Sequence, residues 1–263
     1  MKRTESSLDQ SRRALIRTIA PTRPFAWLAL GWRDLALSPR PALLAGAALA
    51  IFGALLLWIA HDEFWWLAGA FSGFLLVAPV LATGLYEVSR ARSRGERAGV
   101  GTSLAIWHPR DRRLVAFGLL LALAGTGWVL TSASLIIGFA DAPVRNPADF
   151  LHVVVLREDS LLFEAWLVLG GVLAAPMFAS SVVAMPLLLD REIGVWAAVL
   201  TSWRAVMANP VPLALWAALI CALTLLGMLA AMLGLVVVVP LLGHASWHAY
   251  LDLVDASGLP ERR

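Results

Sequence analysis

The sequence predicts an all-α, polytopic transmembrane helix bundle of about six spans, built as three hairpins that each follow a cytoplasmic amphipathic helix. Three observations carry this reading. The 263 residues are 60% apolar and only 15% charged, where soluble domains carry roughly 25% charge. Residues 41–60, 114–140 and 211–243 contain no Asp, Glu, Lys or Arg, and each reaches the roughly 20 residues that a helix needs to cross a hydrocarbon core. The chain holds 12 Trp, many at the ends of those runs, where an amphipathic indole prefers the headgroup region.

Residues 1–23 are polar and basic and read as a flexible cytoplasmic tail. The SRRALIR text from Ser11 to Arg17 resembles a twin-arginine export motif, but Pro21, Arg23 and Pro24 interrupt the apolar run such a signal requires. The rest, residues 24–253, reads as one transmembrane domain. Phe25, Leu28, Trp32 and Leu35 recur at helical spacing around Arg33 and Asp34, which predicts a short helix lying on the membrane surface. Pro39 and Pro41 then open span one, residues 41–60, since the first turn of a helix has no partner for its N–H groups. His61, Asp62 and Glu63 make an external turn into span two, residues 64–87, which contains the small pair Gly69 and Gly73 that lets another helix approach.

Val100, Leu104 and Trp107 mark a second amphipathic piece ending at His108 and Pro109. Span three covers residues 114–140, and the long external loop that follows carries LHVVVL, which is apolar enough to dip into the interface. Span four, residues 161–189, is interrupted by Gly170, Gly171, Pro176 and Pro186. A third amphipathic helix has the stripe Trp196, Val199, Leu200, Trp203, Val206 and Met207. Residues 211–243 would run about 50 Å as one helix, too long for one crossing. A break near Gly227 to Gly234 divides them into spans 211–229 and 231–250, and residues 254–263 form a cytoplasmic tail.

An internal repeat supports the even count. Trp32, Arg33, Pro39 and Pro41 recur as Trp203, Arg204, Pro210 and Pro212. The outgoing spans share VAPVL at Val77 to Leu81, AMPLL at Ala184 to Leu188 and VVPLL at Val238 to Leu242.

The net charge of +3 is distributed by side of the membrane. Basic residues crowd the segments before Pro41 and from Arg90 to Arg113, while the external loops hold Arg145 and Arg157 against Asp62, Glu63, Asp141, Asp149, Glu158 and Asp159. Positive loops stay inside, so both termini face the cytoplasm. This distribution excludes a nucleic-acid partner, which would need a basic face on a soluble surface. The single cysteine, Cys221, excludes an internal disulfide.

Three stretches carry a resemblance: GFLLVAPVLATGLYEVSRARSRGE from Gly73 to Glu96, MFASSVVAMPLLLDREIGVWAAVLTSWRAVMANP from Met177 to Pro210, and GLVVVVPLLGHASWHAY from Gly234 to Tyr250. In these the chain resembles domain-of-unknown-function family 2189, bacterial integral membrane proteins. The resemblance implies a multi-pass protein of the bacterial inner (cytoplasmic) membrane and brings no activity with it. Some members carry the label of a cytochrome c oxidase subunit, which implies a haem- or copper-binding respiratory subunit as an alternative.

Candidate sites follow from residue type. His244 and His248 share one face of span six at i and i+4 and are the candidate metal ligands, although two imidazoles on one helix make half a site and a polar helix end without metal or cofactor is the expectation. Small-solute or ion transport is a second alternative. Its path would involve Glu164, Pro176, Ser180 and Ser181 in the broken span four. Arg90, Arg92, Arg94 and Arg97 are expected to meet anionic lipid headgroups. No GxSxG, HExxH or phosphate-binding glycine loop occurs, so the expectation is a non-enzymatic structural or interaction component of the bilayer, working with a membrane-protein partner or a second copy of itself.

Overall fold

The computed structural model describes residues 6–59, 83–96, 98–105, 112–157, 159–230 and 232–262. The N-terminal segment differs from the flexible tail expected of it. Ser7–Arg13 forms helix α1, opened by Ser6, whose hydroxyl oxygen accepts from the Asp9 N–H. Leu15–Ile16 forms strand β1, paired antiparallel with β2, Val254–Asp255, near the other terminus. The reason is local hydrogen bonding: Arg204 donates to the Ser11 carbonyl, Asn209 donates to the Arg17 carbonyl, and the Arg17 N–H donates to the Leu253 carbonyl.

Helix α2, Arg23–Leu37, leads directly into α3, Pro39–Ile59. Residues 83–93 form α4, and Val100–Ala105 forms α5. The long α6, Arg112–Phe139, is followed by the short α7, Pro147–Phe150, and a π-helical turn at Leu151–Val155. Then come α8, Leu162–Ser181, α9, Ala184–Asp190, α10, Val195–Ala208, α11, Pro210–Leu229, and α12, Leu235–Leu253. Most of the predicted second span, the Gly69 and Gly73 pair, and the Trp107 to Pro109 corner lie outside the described residues.

Four stretches among the described residues are long and apolar enough to cross a membrane: Pro39–Leu56, Arg112–Phe139, Leu162–Asp190 and Pro210–Leu229. The chain is therefore an all-α membrane bundle. Their exposed side chains include Leu44, Ile51, Leu123, Ile137, Val168 and Leu226, as expected where the solvent is lipid rather than water. The apolar stretch after Asn209 is broken between α11 and α12, where Met232 adopts φ 65°. The two helices nearly touch there: a Cβ on Gly234 would come within 2.6 Å of the Gly227 Cα. The apolar LHVVV turn buries Val154 with Ile136, Val144 and Leu162 against the ends of α6 and α8.

Two joints have the same backbone. Ser38, between α2 and α3, has φ −136° and ψ 59°, and Asn209, between α10 and α11, has φ −136° and ψ 55°. Both are buried. In each, proline follows at once, and proline both forbids continuation of the preceding helix and suits the first turn of the next.

The main core lies at the end of the bundle where α2, α4, α9, α10 and α12 meet the two chain termini. Trp27, Leu187, Leu188, Leu189, Trp216, Trp247 and Tyr250 are all buried there. The terminal strands close it. Arg17 donates to Asp255 at 2.8 Å, and hydrogen bonds from Ser257 and Arg17 hold the Asp255 carboxyl down at about 2. A depressed carboxylate contributes above its ordinary value of about 3.9 and loses that contribution as the pH falls towards the folded value. Hydrogen exchange at the Arg17 amide should therefore stay slow above roughly pH 4 and accelerate as the pH approaches about 2.

Candidate functional site

Two carboxylates organise the polar interior of this end, and both sit on otherwise apolar helix faces. Asp34 lies on the buried stripe of α2 formed by Trp27, Gly31, Asp34 and Leu35. Asp190 ends α9, where every residue from Ala184 is buried. Helix α4 runs between them and presents Ser89 and Arg92 to the first and Arg90 to the second.

In the first cluster the Ser89 hydroxyl donates to Asp34 Oδ2 at 2.7 Å and also lies 2.7 Å from His244 Nδ1. His248 Nε2 lies 2.9 Å from the same Asp34 oxygen. Arg92 Nε is 3.7 Å from Asp34 Oδ1, and its other nitrogen donates to Ser38 at the α2–α3 joint. Burial pushes the Asp34 carboxyl up, but the hydrogen bonds from His248 and Ser89 outweigh it and hold it below the usual carboxylate range. A third carboxylate, Asp252, accepts from Arg23 and from the Trp27 indole at 2.6 Å. Its burial raises it, and these partners bring it below its ordinary value.

The tautomer of His244 follows. Ser89 has one hydroxyl proton, and an ionised Asp34 can only accept, so that proton goes to Asp34. His244 Nδ1 must then carry a proton and donate it to Ser89. Its Nε2 is left as a bare acceptor, and this atom is buried with no partner among the described residues. An unmet buried acceptor costs about 1–3 kcal/mol. The order of the three groups differs from that of an activated serine nucleophile, in which the imidazole lies between carboxylate and hydroxyl. Ser89 is moreover 1% exposed.

The second cluster is a dense ion-pair network. Asp190 Oδ1 accepts from Arg90 Nε at 3.1 Å and lies 3.6 Å from Arg94. Its Oδ2 accepts from Tyr250 at 2.8 Å and from Arg191 at 2.9 Å. Arg90 also pairs with Glu87, and it donates to the Arg262 carbonyl. Arg94 reaches Glu261. The C-terminal segment, expected as a cytoplasmic tail, is strapped across this end, with the Glu192 N–H donating to the Pro260 carbonyl and the Arg262 N–H to the Asp190 carbonyl.

The structure places the sequence-derived candidates as follows. Arg90, expected at a headgroup surface, is buried at 8% exposure. Arg92 and Arg94 are engaged with Asp34, Asp190 and Glu261, and Arg97 lies outside the described residues. The carboxylates draw these arginines inward, and they had no visible partner in a one-dimensional reading. His244 and His248 come together on Asp34, with His244 Nδ1 committed to Ser89 and His248 Nε2 to the carboxylate; among the described residues no group of three or more His, Cys, Asp or Glu could hold a metal ion. Glu164 and Pro176 are exposed along α8. Ser181 donates to the Met177 carbonyl within its own helix, and Ser180 accepts from the Trp203 indole. Glu164 stands in the first turn of α8 and the serines at its last, so no shared site unites these four residues.

Asp34, Ser89, Asp190 and Tyr250 were missed. One signal was available: the fourth residue after each proline of the repeated VAPVL, AMPLL and VVPLL text is polar, namely Thr83, Asp190 and His244. All three are buried.

No curated protein and no solved structure matches the chain. Residues 66–190 match the family model described as predicted integral membrane protein (DUF2189).

Proposed function

We propose that the protein is a structural component of the bacterial inner membrane, with six spans in three hairpins, cytoplasmic termini, and α2 and α10 seated as interfacial helices in the cytoplasmic leaflet. The observation that carries this is the outward-facing aromatic side of those two helices. Helix α10 turns its small and polar residues Ala197, Ala198, Thr201, Ser202 and Ala205 into the protein and leaves Trp196, Trp203 and Met207 outside. Helix α2 shares the exposed half of this pattern: Phe25 and Trp32 are each 54% exposed, while its buried stripe holds Trp27 and Leu35 beside Gly31 and Asp34. Apolar stripes facing away from the protein, rich in Trp and continuous through a one-residue joint with membrane helices, suit the headgroup boundary. The matching joints at Ser38 and Asn209 support the repeat, and the turn between α11 and α12 supports the sixth span. Arg33 and Arg40 flank Trp32 on the exposed side and supply attraction for anionic lipid of about 1 kcal/mol per residue.

The test uses the chain with Cys221→Ser as background and spin labels at Trp32→Cys or Trp203→Cys in reconstituted vesicles. Both labels should report immersion at the headgroup level, and Arg33→Gln with Arg40→Gln should weaken the preference for anionic over zwitterionic lipid by about thirtyfold. Labels that report bulk water would defeat the reading.

A further inference from the structure

We propose that the groove between α8 and α11 holds one acyl chain of a phospholipid from the leaflet in which α10 lies; the choice of leaflet rests on the interfacial seat of α10 given above. The groove has a volume of about 420 Å³. Ala174 and Ala175 line it from α8, and Ala214 and Ala217 line it from α11. Phe178, Val206 and Pro210 surround the end beside α10, and Gly171 and Cys221 the end deeper in the bilayer. None of the described side chains that line it is charged, and the Cys221 thiol is the one polar group among them. Val172 on α8 and Val211 on α11 are each 62% exposed, so the groove is continuous with the surface that meets lipid.

The corresponding place beside α3 is closed by protein. Gly46 stands seven residues after Pro39, as Ala217 stands seven after Pro210. At Gly46, α12 comes so near that an added Cβ would overlap the Val236 carbonyl, whereas Ala217 borders the open groove. From Pro210 to Cys221 the groove runs about 16 Å at 1.5 Å per residue, close to half of a hydrocarbon core of about 30 Å. One chain entering at the headgroup level therefore spans the depth of its leaflet inside the groove. A helix about 10 Å across would fill about 1,300 Å³ over the same length, far more than the space present. At the entrance the Trp203 indole of α10 donates to Ser180 of α8 at 2.9 Å, and an indole suits the headgroup boundary. The headgroup stays outside, since the walls offer it no partner. The chain inside is selected by shape, because groove and surrounding lipid are equally apolar.

The test is photolabelling of the full chain carrying Cys221→Ala, which removes a thiol that would trap carbenes, in vesicles of phosphatidylethanolamine and phosphatidylglycerol. A trace of phosphatidylethanolamine carries a diazirine near the end of one acyl chain, and the marked residues are read by mass spectrometry. Ile220 lies ten residues into α11 and Leu123 eleven into α6, at matched depth. Leu123 is 69% exposed and Ile220 only partly so, so surrounding lipid alone would mark Leu123 more heavily. A seated chain should mark Ile220 more heavily, and a diazirine beside the ester should move the mark to Val206 and Pro210. Ala174→Leu with Ala217→Leu, which fills the groove, should abolish the excess at Ile220. Ala218→Leu, with the same added bulk on the exposed face of α11, should keep it. Marking of Ile220 at or below that of Leu123 would overturn the proposal and leave the seat of α10 untouched. An excess at Ile220 from the ester-side diazirine would overturn the assigned leaflet together with that seat. Disulfide-linked dimers through Cys221 on oxidation of the unaltered chain would give the groove to a second copy and overturn the proposal as well. The comparison of Ile220 with Leu123 decides whether or not the filled variant folds.

Discussion

Asp190→Asn should destabilise the bundle by about 3–5 kcal/mol, the cost of removing one partner from a buried ion pair. The substitution keeps the shape of the side chain and removes its charge. Arg90, whose side chain is 10% exposed, would lose its partner of opposite charge at 3.1 Å. Arg191, at 17%, would lose its contact at 2.9 Å. Tyr250 donates into the same carboxylate from α12, so the damage would spread from α9 to α4, α12 and the C-terminal strap. In mild detergent the thermal midpoint for loss of the monodisperse particle should fall well below that of the unaltered chain. When Arg90 is replaced, Asp190 keeps Arg191 at 2.9 Å and Arg94 at 3.6 Å, so Arg90→Gln alone should cost less. In the combination of Asp190→Asn with Arg90→Gln, the total should be less than additive, because residues in one network couple. A midpoint for Asp190→Asn equal to the unaltered protein would show that the arginines are satisfied by water or lipid instead.

The membrane class was legible because charge-free runs and their flanking Trp report the solvent directly, residue by residue. The apolar stripe of α10 was also legible, but its destination was not. Trp196, Trp203 and Met207 mark a face by periodicity alone, and in a soluble protein that face would be the core; here the small face packs inward and the large one faces out. Hydrophobic periodicity identifies which residues share a face, while the direction of that face depends on which side meets lipid. The ion pairs of the arginine cluster were hidden for a related reason. Positive charge near a span end is expected at headgroups, and only tertiary pairing across the chain, Arg90 with Asp190 and Arg92 with Asp34, draws it inward. Asp34 follows Arg33 directly in the sequence, yet it stands on the buried stripe with Trp27 and Gly31. A seven-residue spacing from Trp27 was the available clue. The ordered termini were invisible for the opposite reason, since a two-residue ribbon between residues 15–16 and 254–255 has no periodicity to detect.

Gly46→Val should part α3 from α12, at a cost at or above the upper end of the roughly 1–3 kcal/mol typical of overpacking. Against α2 and α3, helix α12 is seated by close backbone approach at Gly31 and Gly46. A Cβ on Gly46 would overlap the Val236 carbonyl, and one on Gly31 would lie 2.8 Å from the Ala245 nitrogen and the Leu241 carbonyl. In both places the obstacle is backbone, which cannot rotate away as a side chain can. On the opposite face, Gly243 makes room for Leu85 of α4. These contacts seat α12 so that His244 meets Ser89 and Tyr250 meets Asp190, which places both polar clusters under the control of small residues in the membrane. Gly118→Ala is the matched control, since its added Cβ would meet nothing within 4 Å and should leave stability unchanged or raise it by about 1 kcal/mol through helix propensity. Gly46→Val should lower the thermal midpoint and also disturb the His244 tautomer signal, although residue 46 touches neither cluster. If stability fell while that signal stayed intact, α2 and α4 alone would suffice to position α12. A fall in both would make the glycine contacts the feature that holds the two networks in register.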